Sequence, residues 1–136
     1  MHKALTAILF GLSLTLGAGM GSAQSGEATF KFTNNAPNKI MVKLFSQNRN
    51  WTWPAPDRHY NLDDDAEHSF KISCQDGEKI CYGGSETPDD AYHWGVGLKG
   101  DQRCQNCCIV CGNAHKWNLT KQGGGQQADH QGQRID

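Results

Sequence analysis

The chain has 136 residues, with 13 Lys and Arg against 14 Asp and Glu and a formal net charge of −1. That balance leaves no basic footprint for nucleic acid and no cationic face for an anionic membrane, so neither partner is expected. The length suits one ordinary domain, with a core of its own and a thin margin of stability.

The chain opens MHKALTAILFGLSLTLGAGMGSAQS. His2 and Lys3 form a short positive head, Ala4 to Leu16 an apolar run, and small residues crowd the stretch from Gly17 to Ala23. This is the pattern of a secretory signal peptide over residues 1–23, cleaved after Ala23. The run is too short for a preferred transmembrane reading. Removing 23 of the 136 residues leaves 113 and takes Lys3 away, which moves the net charge from −1 to −2. The mature protein is expected to be secreted or periplasmic, with no membrane insertion after cleavage.

From residue 24 to 121 the apolar pattern has a period of two. TFKFTN sets Phe30 and Phe32 on one face, KIMVKLFS does so with Ile40, Val42 and Leu44, and HSFKISC with Phe70, Ile72 and Cys74. EKICYGG and YHWGVGL are shorter candidates, with Ile80 and Tyr82, then Trp94, Val96 and Leu98, as inward sets; HKWNLT closes the ordered part. Alternation of this kind predicts strands with one face buried and one wet. Between the runs lie turn signals rich in Asn, Asp, Gly and Pro, so the expected fold is all-β, a small antiparallel β-sandwich of roughly five to seven strands. NNAPNK is expected to join the first two strands as a hairpin, because Pro37 cannot sit in a central ladder. Residues 24–121 read as a single domain. Residues 122–136, QGGGQQADHQGQRID, hold almost nothing apolar and are expected to be a disordered Gly/Gln-rich tail.

All six cysteines, at 74, 81, 104, 107, 108 and 111, follow the signal segment. An even number in an exported chain points to a disulfide framework. Cys74 and Cys81 could close a bridge around the turn Gln75-Asp76-Gly77-Glu78, or each could reach into the 104–111 cluster. Parity raises an objection to the first pairing, since Cys74 falls with Ile72 on the core face while Cys81 falls opposite Ile80 and Tyr82, but a slip of one residue or a bulge in the turn would remove it, so both pairings stay open. Two other uses of the cluster are open. A zinc or copper site could draw on Cys104, Cys107, Cys108 and Cys111 with His93 or His115, although two C-x-x-C units without a spacer cannot easily place four sulfurs on one ion. A thiol-disulfide oxidoreductase would want its first cysteine at a helix N-terminus, and the residues after Cys111 make a poor helix.

Catalytic signatures are not found. No H-E-x-x-H or G-x-S-x-G occurs, and Gly95-Val96-Gly97 has no helix behind it to make a phosphate cradle. NLDDDAE resembles a calcium loop only superficially, with Ala66 where a glycine is needed and Ile72 where a bidentate Glu belongs. The remaining signal is aromatic. Trp51 and Trp53 are two apart in NWTWPAP, which puts both rings on one side of an extended segment, with Tyr60 close behind. Exposed, they would stack on a glycan or anchor a protein surface; buried, they are core, which is the commoner fate of tryptophans in a small sandwich. The expected function is therefore a non-enzymatic binding or structural module without a cofactor, recognising a glycan or protein through Trp51, Trp53 and Tyr60.

Overall fold

The computed structural model describes residues 25–121, together with the backbone of 129–131 and 133–134. The expected signal segment therefore lies outside the described residues. Every regular element among them is a strand: β1 (Ser25–Asn34), β2 (Ile40–Ser46), β3 (Thr52–Trp53), β4 (Tyr60–Leu62), β5 (Glu67–Gln75), β6 (Lys79–Ser85), β7 (Tyr92–Gly95), β8 (Cys108–Val110), β9 (Ala114–Thr120), β10 (Asp129–Gln131) and β11 (Gln133–Arg134). The count exceeds the expected five to seven because several pieces are only two or three residues long. Of the expected tail, β10 lies beside β9 and β11 beside β7; its other residues are outside the described set.

Two sheets form. One runs β10-β9-β1-β5; the other runs β11-β7-β6-β2-β3, with β4 also on β2 and β8 on β6. Their apolar faces meet. Phe30, Phe32, Ile72 and Trp117 from the first sheet pack against Ile40, Val42, Leu44, Ile80, Tyr82 and Trp94 from the second, all at most 4% exposed. Trp117 stacks on Phe30 and Phe32 at 5.5 Å each, and the Tyr82 ring crosses from the opposite sheet to 4.9 Å from both Phe32 and Trp117. Side chains this large, removed from water, contribute on the order of 2 kcal/mol each. Alternation therefore delivers the core as expected, with Phe70 as the exception: it is half-buried and stacks on Tyr60 at 4.2 Å.

The neighbours differ from expectation in three places. NNAPNK is not a hairpin: β1 pairs with β5 antiparallel and with β9 parallel, while β2 pairs with β3, β4 and β6 in the other sheet. The loop crosses between sheets instead. Asn34 holds it, donating from Nδ2 to the carbonyls of Asn38 (2.8 Å) and Leu62 (3.0 Å) and accepting the Ala36 amide at Oδ1 (2.9 Å). Gln75-Asp76-Gly77-Glu78 is the second crossing. It carries the chain from β5, at the edge of the first sheet, to β6 in the middle of the second, with Gly77 at φ 77°, a conformation that glycine adopts without strain. The third departure is that β9 runs parallel to β1, so the first sheet is mixed. A period of two tells which face of a strand is buried and is silent on which strand lies next to it.

β6 is buried on both faces. Its outer side is covered by the segment after β7, and a side chain at Gly83 would strike the Gly97 carbonyl, its Cβ only 1.7 Å from that oxygen. Cys81, on the face expected to be wet, is consequently 2% exposed.

Candidate functional site

Two structures grow from the corner at 75–79. The first is the loop between β2 and β3. Ser46 accepts the Asn48 and Arg49 amides at its hydroxyl (3.2 Å each), the Ser46 amide reaches the Trp51 carbonyl (3.0 Å), and Gln47 and Lys79 tie the loop to β6. Its centre is an ion pair. The Arg49 guanidinium donates from Nε to Glu78 Oε2 (2.6 Å) and from a terminal nitrogen to Oε1 (3.1 Å), and the Glu78 side chain is 1% exposed. The carboxylate also accepts the Ser46 hydroxyl (2.5 Å) and the Gln75 amide (2.9 Å). Burial works to raise the Glu78 pKa, but these donors outweigh it, Arg49 foremost, and hold the carboxyl down at about 2.

Arg49 also carries the aromatic residues. Its guanidinium lies 5.0 Å from the Trp51 ring centre and 5.6 Å from that of Trp53. Both indoles meet the same cation, yet their exposures separate: Trp53, opposite Leu44 in the β2–β3 ladder, is 9% exposed, whereas Trp51 is 53% exposed. Tyr60 does not join them. It sits on β4 opposite Val42, and the stack on Phe70 half-buries it, raising its phenol pKa. Of the expected trio, Trp51 offers a face to solvent. Arg49 and Glu78 escaped the sequence analysis because charged residues in turns are ordinarily solvated, and nothing local marks Glu78 as buried.

The second structure is the cystine segment. Cys74 bonds Cys111, Cys81 bonds Cys108, and Cys104 bonds Cys107, leaving no free thiol. Cys74 and Cys81 are in different sheets, so of the two pairings the sequence left open, each reaches into the 104–111 cluster. Cys81 and Cys108 stand opposite one another in the β6–β8 ladder. The bridge from Cys74 joins the first sheet to the end of β8, where the Cys111 amide donates to the Glu78 carbonyl (2.7 Å) and the Gly112 amide to that of Glu27 (2.9 Å). The third bridge closes a tight loop in which Asn106 has φ 59° and its carbonyl accepts the Trp117 indole N–H (2.7 Å).

The sulfurs of Cys81, Cys107 and Cys108 lie within 4.8 Å of one another. Cys104, Cys111, His93 and His115 are not part of that group. His93 is buried on β7 with its Nδ1 unpartnered, and His115 is an exposed residue of β9 against the Trp117 ring. No helix starts at either C-x-x-C unit, since the described residues contain none. Comparison with family profiles, with curated proteins and with solved structures finds no match to this chain.

Proposed function

We propose that this protein is an exported, disulfide-stapled β-sandwich that serves as a non-enzymatic binding module, with Trp51 as a stacking platform for a glycan. The observation that carries the reading is an indole more than half exposed while the cation under it is locked to a buried carboxylate. A ring presented on a fixed support loses little freedom on binding, which is how a small contact gains affinity. The chemistry favours a sugar ring over a protein surface. Trp51 and Val110 are the large apolar side chains left exposed among the described residues, far short of the clustered anchors that protein interfaces use. Secretion or a periplasmic location is part of the proposal, supported by the signal-like start and by bridges that persist in oxidising compartments.

A glycan array probed with the wild-type chain and with Trp51→Ala tests it. The expected result is binding to a defined set of glycans that drops at least about tenfold in the variant, equivalent to about 1.4 kcal/mol. Undiminished binding by Trp51→Ala, or no glycan bound by the wild type, overturns the reading.

A further inference from the structure

Two of the three bridges touch. The Cys107 sulfur, in the bridge to Cys104, lies 3.5 Å from the Cys108 sulfur, in the bridge to Cys81. That is the separation at which a bound nucleophile is poised to react. Each bridge has one buried and one partly exposed cysteine: Cys107 has no exposed surface and Cys81 is 2% exposed, whereas Cys104 and Cys108 are partly exposed, Cys104 between Arg103 and Gln105, both open to solvent. The Cys74–Cys111 bridge lies outside the sulfur cluster. An external thiolate that attacks Cys104, whose sequence neighbours are both open to solvent, displaces a sulfur already against a second disulfide.

We propose that the Cys104–Cys107 and Cys81–Cys108 bridges form a thiol-disulfide exchange relay that accepts a reducing equivalent from a dithiol donor at Cys104 and stores it at Cys81. In the first step a donor thiolate attacks the Cys104 sulfur. A donor–Cys104 bond forms, the Cys104–Cys107 bond breaks, and the electron pair leaves on Cys107. In the second, the Cys107 thiolate attacks the Cys108 sulfur, forming a Cys107–Cys108 bond and expelling Cys81 as thiolate. In the third, the donor's other thiolate attacks the donor sulfur of the mixed disulfide, closes the donor's own disulfide and releases Cys104. The donor loses two electrons and two protons; Cys81 and Cys104 gain them as thiols, and the protein keeps two bridges in place of three. Exchange of this kind runs through thiolates and mixed disulfides and needs no other group. The outcome is asymmetric: Cys104 ends as a thiol within reach of solvent, and Cys81 ends as one buried on β6, beside β8. The relay is independent of the Trp51 platform, so loss of one leaves the other intact.

The test is stoichiometric reduction of the full chain with dithiothreitol, acid quenching, alkylation and peptide mapping. Alkyl groups on Cys81 and Cys104, with a peptide containing a Cys107–Cys108 bond, are expected. Label on Cys104 and Cys107 would show local opening without relay, label on Cys81 and Cys108 would show direct entry at the second bridge, label first on Cys74 and Cys111 would show that entry is elsewhere, and a chain that resists the reductant would show no entry; each overturns the proposal. Cys104→Ser supplies a second arm, since it leaves Cys107 without its partner in an otherwise oxidised chain. The alkylatable thiol should then map mainly to Cys81, and confinement to Cys107 overturns the relay. Should Cys104→Ser fail to fold, the wild-type mapping decides alone.

Discussion

The loop at 47–51 and the segment at 104–111 are fastened to the same corner of the sandwich by different chemistry. Glu78 holds the first with its side chain, through Arg49 and Ser46, and the second with its backbone carbonyl, through the Cys111 amide. Beyond that shared residue the loop depends on charge and hydrogen bonds, and the segment on two covalent bridges to the strands, with a third inside it. The difference is one of what each resists. A buried ion pair fails when its carboxylate is protonated, and a disulfide is indifferent to acid but opens to thiols. One corner thus carries two elements with separate sensitivities, and perturbing each alone is the way to separate them.

The largest effect should come from the covalent side. Replacing Cys74 and Cys111 together by Ala releases a closure spanning 37 residues and should cost about 4 kcal/mol of stability, read by urea denaturation. Glu78→Ala comes next. It strips the acceptor from the Gln75 amide, the Ser46 hydroxyl and Arg49, and a loss of about 3 kcal/mol is expected by the same measurement. If the two elements are independent beyond their common corner, the two losses add; if they are one cooperative unit, the triple variant falls short of the sum.

Acid probes the loop more gently. Glu78 has its folded pKa pulled down from 4.5 to about 2, so between those values the unfolded chain binds the extra proton. The stabilisation is whole above about pH 4.5, declines as the pH falls, and is gone below about 2. Asp64, Glu67 and Asp89 are shifted the same way by His68, Lys116 and Thr87 respectively, so the clean reading is the difference between wild type and Glu78→Gln, whose denaturation midpoint should lose that component of the acid slope. The smallest effect belongs to Trp51→Ala. With the ring half in water, its removal should change stability by about 0.5 kcal/mol or less while lowering glycan binding at least about tenfold.

Much of the core was legible in the sequence. Phe30, Phe32, Ile40, Val42, Leu44, Ile72 and Trp94 are buried where the alternation put them. The cystine framework was legible as a class, but parity left the partner of Cys74 open, and what decides it is that the strands of Cys74 and Cys81 are in different sheets. The candidate site was legible in part. Trp51 was found through its spacing from Trp53, yet that spacing could not tell that one ring is tucked into the β2–β3 ladder and the other left in water. Arg49 and Glu78 were invisible because their pairing depends on a crossing between sheets, 29 residues apart in the chain.

The sequence by itself determined the all-β class, most of the inward-facing residues of the longer strands and the availability of the cysteines for bridging, because backbone geometry sends successive side chains to opposite sides whatever lies beyond. Only the tertiary structure decided that NNAPNK and the turn at 75–78 are crossings between sheets, that β9 runs parallel to β1, which sulfurs meet, and that a turn carboxylate is buried. Those outcomes follow from how apolar faces and polar partners are shared among segments far apart along the chain, a choice made by the packed whole and by no local stretch of it.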